Sequence, residues 1–232
     1  MQIRSYVSSG EALGALSCRL SMMIRQKKKL PFRLALSGGD TARMLFGHWT
    51  ASFRRRIDWK NILFYWVDER CVPPDDPQSN FGEARRSLFA PTGIAPEHCL
   101  RIRGEADPVR EAVRYSETVL REVPLSEGLP RFDCAILGVG TDCHTASIFA
   151  GMPGLLDSSQ CYAVSCHPVS GQKRITMTGP LLLNCASLLV PVIGKEKTEV
   201  VRTLREGHRN EDLPAPYLLS RARDAVVFTD VF

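Results

Sequence analysis

The chain has 232 residues, 44% of them apolar and 24% charged, with a formal net charge of +5. That is enough chain for one domain with a sizeable core, and the composition is globular rather than disordered or fibrous. Its basic runs, Lys27-Lys28-Lys29 and Arg54-Arg55-Arg56, lack a stripe of base-reading or stacking groups, so they read as solvated helix ends and no nucleic-acid partner is expected.

Short apolar runs alternate with longer amphipathic ones. Ser8-Ser9-Gly10-Glu11 predicts a capping box opening a helix, with apolar positions at Ala12, Leu16, Leu20, Met23 and Ile24. The helix ends in the lysine run before Pro31. Phe32 to Leu36 reads as a buried strand, Ser37 to Thr41 as a tight loop, and Ala42 to Trp49 as a short helix. Ile62 to Val67 is the next strand, followed by Asp68-Glu69-Arg70 and a Pro-rich loop; Ser79 or Asn80 then caps a helix through Leu88. Asp107 caps a helix that has Pro108 in its first turn and runs to Val123. Further strands are expected at Phe132 to Leu137, Cys161 to Cys166, Arg174 to Met177, Leu188 to Ile193 and Ala225 to Thr229, with a helix over Lys195 to Glu206. Pro214-Ala215-Pro216 reads as a turn within the fold. Strands alternating with helices predict an α/β protein: a mostly parallel, Rossmann-like sheet flanked by helices, in one domain spanning 1–232.

Eight cysteines (Cys18, Cys71, Cys99, Cys134, Cys143, Cys161, Cys166 and Cys185) include no Cys-x-x-Cys, and no signal peptide is visible. Reduced thiols in a cytoplasmic protein are the expectation. The longest nearly apolar run, Leu181 to Gly194, contains Asn184 and Ser187 and is too short for a membrane span.

Several segments carry candidate chemistry. In Leu137-Gly138-Val139-Gly140-Thr141-Asp142-Cys143-His144, two glycines turn the backbone past a buried strand, and a carboxylate and an imidazole follow two residues apart. Ligands of α/β sheets bind outside the carboxyl ends of the strands, so Asp142 and His144 are a candidate acid–base pair; the alternative is a solvated surface turn. Ser37-Gly38-Gly39-Asp40-Thr41 lies between a strand and a helix, where backbone N–H groups and the hydroxyls of Ser37 and Thr41 can converge on an anion. It is neither a Walker loop nor a dinucleotide fingerprint, and Asp40 suits phosphate only if it points away or caps the helix. Asp68-Glu69-Arg70, then Ser79-Asn80, cluster charge past a very apolar strand. Arg70 can fork onto a phosphate or carboxylate, or pair with Asp68 or Glu69. Arg174 and Lys197 offer further cations.

These segments, in this order, resemble the glucosamine-6-phosphate isomerase/6-phosphogluconolactonase family, and its lactonase branch in particular. That branch has a Ser-Gly-Gly loop with Thr, then Asp-Glu-Arg with Val-Pro and Ser-Asn, then Leu-Gly-x-Gly-x-Asp-Gly-His-x-Ala-Ser, an Arg-Ile-Thr segment and a Gly-x-x-Lys segment. Here these are Ser37 to Thr41, Asp68 to Asn80, Leu137 to Ser147, Arg174 to Thr176 and Gly194 to Lys197. The resemblance implies the sugar-phosphate isomerase-like fold shared with glucosamine-6-phosphate deaminase and ribose-5-phosphate isomerase. It implies hydrolysis of a sugar-phosphate lactone without cofactor or metal, with a functional link to glucose-6-phosphate dehydrogenase. By motif, Gly38, Gly39 and Thr41 would cradle the phosphate beside Arg174 and Lys197, with Ser37 adding a hydroxyl. Asp68, Arg70 and Asn80 would line the sugar pocket. His144 would activate water, supported by Asp142.

The chain departs from the family pattern at Asp40, where a small hydroxyl residue is commoner, and at Ala42 and Ala150, where Pro is usual. Cys143 stands where Gly is usual; a positive φ there would strain the backbone by about 1–2 kcal/mol. Within the resemblance two other functions stay open. A deaminase would need a Glu seven residues after Asp142, where this chain has Phe149. A non-catalytic sugar-phosphate binder of the same fold is the other; the sensor versions carry a helix-turn-helix, for which a first core strand beginning at Phe32 leaves no room.

Overall fold

The computed structural model describes residues 1–29, 31–207 and 210–232. In chain order the elements are β1 (Gln2–Ser5), α1 (Ser9–Gln26), β2 (Phe32–Leu36), α2 (Asp40–His48), β3 (Ile62–Trp66), β4 (Asp68–Arg70), α3 (Asn80–Ala84), α4 (Ala90–Thr92) and α5 (Pro108–Glu122). A small hairpin follows, β5 (Leu125–Ser126) and β6 (Leu129–Pro130), then β7 (Cys134–Ile136), α6 (Pro153–Leu156), β8 (Tyr162–Cys166), β9 (Lys173–Met177) and α7 (Gly179–Asn184). The chain closes with β10 (Leu188–Val192), α8 (Thr198–Glu206), α9 (Pro214–Arg221) and β11 (Ala225–Thr229).

Local signals set several boundaries. The Ser8 hydroxyl accepts from the Glu11 N–H at 3.2 Å and starts α1, and Lys27 caps its carboxyl end. Lys27 also forms an ion pair with Asp133, so that basic residue is not merely solvated. Asp107 caps α5, accepting from the Arg110 N–H at 3.0 Å, with Pro108 in the first turn. Ser79, not Asn80, caps α3 by accepting from the Gly82 N–H at 3.0 Å.

The main sheet has the order β1-β11-β10-β7-β2-β3, and every pairing is parallel. Leu34, Ala35 and Leu36 of β2, Phe64, Tyr65 and Trp66 of β3, and Val226, Val227 and Phe228 of β11 are all buried, as strands covered on both faces require. From β2 the chain winds outward to β3; from β7 it winds the other way to β10 and β11. The crevice between β2 and β7 is therefore the topological switch point, where ligands of such sheets bind.

Three features differ from the sequence expectations. Phe32 does not begin the first strand: β1 precedes it, pairing Gln2 with Val226 through Ser5 with Thr229. It is an edge strand without a buried residue, so it leaves no apolar run in the sequence. Pro214 opens α9 instead of forming a turn; proline's fixed φ suits the first helical position. Asp68-Glu69-Arg70, for which the sequence predicts no element, is β4, in a second, antiparallel sheet of order β4-β9-β8. Only Val67 separates it from β3, so the chain passes directly from one sheet into the other.

Candidate active site

A cavity of about 330 Å³ opens over the switch point. It is lined by Ser37, Gly38, Gly39, Asp40 and Thr41 after β2, by Asp68, Arg70 and Asn80 after β3, by Gly138 to Thr141, His144 and Ala146 after β7, by Arg174 of β9, and by Glu196 and Lys197 after β10. Of the candidate site residues, Asp142 alone is missing from this lining; it contacts His144, which does line it, while Glu69 and Ser79 lie outside the cavity. The size suits a small molecule.

The glycine loop is shaped by its neighbours. Gly39 has φ 89° and precedes the first turn of α2, a conformation that only glycine adopts without strain. A side chain on Gly38 would place its Cβ 1.8 Å from Asn80 Oδ1. Asn80 is thus the buttress behind the loop, and its Nδ2 donates to the Asp68 carbonyl at 2.9 Å. The amino end of α2 points into the cavity and favours an anion there. Asp40 turns back to Arg43, 3.4 Å away, and is almost wholly exposed, which leaves the loop's N–H groups free of it. The Ser37 hydroxyl is buried and has no hydrogen-bond partner among the described residues.

The β4–β9 ladder supplies the charges. Its register sets Asp68 opposite Thr176 and Arg70 opposite Arg174. Side chains alternate along a strand, so Asp68, Arg70 and Arg174 share the cavity face and Glu69 faces away. Like charges directly opposed across a ladder repel. Arg70 donates from Nη1 to the Gln78 carbonyl at 2.6 Å, and Arg174 from Nη1 to Ser147 Oγ at 3.4 Å, but Nε of each is buried and without a partner among the described residues. Burial, and then Arg70, push the Arg174 guanidinium below its ordinary value, against the pull of Asp68. A ligand with an anionic group beside Arg174 and neutral oxygens beside Arg70 would relieve the repulsion and meet the open donors. Asp68 is itself held by the Ser147 hydroxyl at 2.6 Å. In the sequence Ser147 figured only as the last residue of the matching motif, with no role, because a buried serine that orients a carboxylate looks like any other serine.

The acid–base pair sits on a tight hairpin. Val139 bridges Thr145, the Gly140 N–H donates to the His144 carbonyl at 2.9 Å, and the Cys143 N–H donates to the Gly140 carbonyl at 3.0 Å. Such a three-residue loop ends on a left-handed residue, and Cys143 takes that place with φ 63°. The strain anticipated at Cys143 is therefore present. The Ala215 N–H at the start of α9 donates to the Cys143 carbonyl at 2.9 Å and ties the hairpin down. His144 Nδ1 lies 2.5 Å from Asp142 Oδ1, and its backbone N–H donates to the same oxygen at 3.2 Å. Partial burial raises the Asp142 carboxyl, but the His144 hydrogen bonds outweigh it and hold the group below its usual range. An ionised Asp142 accepting from Nδ1–H leaves the Nε2 lone pair of His144 as the available base. The imidazole also packs on Phe149, with ring centroids 4.6 Å apart, and Arg174 lies over that same ring at 5.5 Å. Lys197 donates from Nζ to the Val139 carbonyl at 2.8 Å, bracing the hairpin from the far wall.

The arrangement combines an oriented base, an anion cradle and a polar cavity, all at the carboxyl end of a parallel sheet. That defines an α/β enzyme acting on a small anionic substrate. The chain belongs to the family described as glucosamine-6-phosphate isomerases/6-phosphogluconolactonase, whose model matches residues 10–228. It is 44% identical over 171 residues to 6-phosphogluconolactonase of Treponema pallidum, covering 74% of this chain and 71% of that one. It is 36% identical over 197 residues to 6-phosphogluconolactonase of Haemophilus influenzae, covering 84% and 82%. A crystal structure of devB protein superposes with a TM-score of 0.90 at 32% identity, over 98% of this chain and 95% of that one. Among the described residues, no helix is long and apolar enough to cross a membrane.

Proposed function

We propose that this chain hydrolyses 6-phospho-D-glucono-1,5-lactone to 6-phospho-D-gluconate, the second step of the oxidative pentose phosphate pathway, with residues 1–232 acting as one catalytic domain. The observation that carries the reading is the meeting of the His144–Asp142 pair with the opposed Arg70 and Arg174 in one cavity. A lactone is an activated ester and needs no covalent nucleophile. His144 Nε2 takes a proton from water as the oxygen attacks C1. The tetrahedral intermediate collapses, the C1–ring oxygen bond breaks, and the imidazolium returns its proton to the departing oxygen. General base catalysis of this kind contributes about 10²–10⁴-fold. The phosphate sits over Gly38, Gly39 and Thr41, held by Ser37, Arg174 and Lys197. Asp68 and Arg70 face the sugar hydroxyls, and Asn80 backs the glycine loop from the cavity wall. Anchoring far from C1 turns binding into orientation of the reacting carbon.

Phe149 supports this chemistry over deamination, since a phenyl ring cannot move a proton. The substrate's own chemistry supports the link to glucose-6-phosphate dehydrogenase: a lactone arises by two-electron oxidation of a cyclic hemiacetal. The unpaired thiols and the charged substrate fit a cytoplasmic site of action.

The test is hydrolysis of freshly generated lactone with EDTA present and spontaneous hydrolysis subtracted. Wild type should accelerate it, and His144→Ala should lower kcat by about a hundredfold or more with a modest change in KM. A folded wild-type protein that gives no acceleration overturns the assignment.

A further inference from the structure

Glu69 is the one charged residue of β4 that does not reach the cavity. It is 2% exposed, on the face opposite Asp68 and Arg70. Its carboxylate accepts four hydrogen bonds. Oε1 takes the N–H groups of Arg70 at 2.8 Å and Asn80 at 2.7 Å. Oε2 takes the Phe81 N–H at 2.8 Å and the Ser79 hydroxyl at 3.1 Å. Both Arg70 and Asn80 line the cavity, at the two ends of the Pro-rich loop that Glu69 closes. Asn80 in turn stands directly behind Gly38 and bonds Asp68. A single buried carboxylate therefore joins the strand bearing Asp68 and Arg70 to the residue that buttresses the anion loop.

We propose that Glu69 is a positioning residue for sugar-phosphate binding: it sets Asn80, and through Asn80 the glycine loop, without touching substrate. The inference rests on the ligand class assigned to the cavity above. Only an ionised carboxyl group fits the role. An amide has one acceptor oxygen, and its NH₂ would face either the Arg70 and Asn80 N–H groups or the Phe81 N–H and Ser79 hydroxyl. One side of the tie is then lost, and a buried donor without an acceptor is costly.

The test uses the full chain with Glu69→Gln, Asn80→Ala, the double variant, and Ser79→Ala. The readouts are kcat and KM for the lactone, calorimetric binding of 6-phosphogluconate, and thermal unfolding. At pH 8, where the Glu69 carboxyl is ionised, Glu69→Gln should raise KM and weaken 6-phosphogluconate binding about tenfold while kcat stays near wild type. The double variant should be no worse than Asn80→Ala alone, because both act through one contact. Wild-type affinity in a folded Glu69→Gln protein overturns the proposal, as do losses that multiply in the double variant. If Glu69→Gln does not fold, Ser79→Ala decides: removing one donor to the carboxylate should weaken binding about two- to threefold, and unchanged affinity refutes the role. A wild-type protein that binds 6-phosphogluconate, loses affinity in Glu69→Gln and yet hydrolyses nothing would overturn the lactonase reading alone.

Discussion

Gly140→Ala offers a way to displace the catalytic pair without removing either member. A Cβ built at Gly140 lies 2.2 Å from His144 Nδ1, 2.3 Å from His144 Cε1 and 2.4 Å from Asp142 Oδ1, whereas ordinary contact begins near 3.4 Å. The imidazole and the carboxylate must each retreat by about 1 Å, and they cannot do so together and keep their 2.5 Å contact. Misplacement of that size costs about a hundredfold in rate, or roughly 2.7 kcal/mol of barrier. The backbone itself objects little, because Gly140 does not have a positive φ. The obstructing atoms are side-chain ends, and the Asp142 side chain is 58% exposed and free to swing out. Stability should therefore fall by no more than about 1 kcal/mol, a shift in Tm of about 2–4 °C. Steady-state lactone hydrolysis should show kcat reduced about a hundredfold at nearly constant KM. Adding His144→Ala should lower the rate little further, since both changes disable one function. Wild-type kcat in Gly140→Ala would show that the His144–Asp142 geometry does not carry the reaction.

Lys197→Ala should raise KM for the lactone about ten- to a hundredfold with a small effect on kcat, through loss of a charge-assisted contact to phosphate; an unaltered KM would remove Lys197 from that role. At Cys143, glycine relieves about 1–2 kcal/mol of strain but gives back about 0.4–1 kcal/mol through the freer unfolded chain. Alanine keeps the strain, so Cys143→Gly should be the more stable of the two variants in chemical denaturation, and the reverse order would refute strain at this position. Burial pushes the Glu69 carboxyl from about 4.5 up to about 7, against the hydrogen bonds of Phe81, Asn80 and Arg70. A raised native pKa means that the folded chain binds the extra proton between these limits. The contribution of Glu69 to stability is thus fully present below pH 4.5 and lost as pH rises to about 7, by roughly 3 kcal/mol. Relative to Glu69→Gln, which has no such titration, wild type should lose stability over that window; a difference independent of pH would contradict the burial argument.

Much of the site was legible in the sequence because each of its loops follows a buried apolar strand and announces itself by glycine or clustered charge. Ser37 to Thr41 and Leu137 to His144 show both signals. The strain at Cys143 was anticipated on the condition of a positive φ, from the glycine that the resembling family carries there, and the φ of 63° meets that condition. What escaped notice was structure made of polar residues. β1 has no apolar run, and the charged β4 shows no strand signal because its pairing partner lies more than a hundred residues away.

Apolar periodicity and capping residues are local properties, and they determined the α/β class, the positions of the apolar strands and the loops that carry chemistry. Register and facing are set by partners distant in the chain, so only the tertiary structure decided which charges meet. It opposed Arg70 to Arg174, turned Glu69 away from the cavity to hold Asn80, and placed Asn80 against Gly38. A one-residue slip of β4 against β9 would exchange the faces of Asp68 and Glu69, which no reading of the Asp-Glu-Arg triplet alone could exclude.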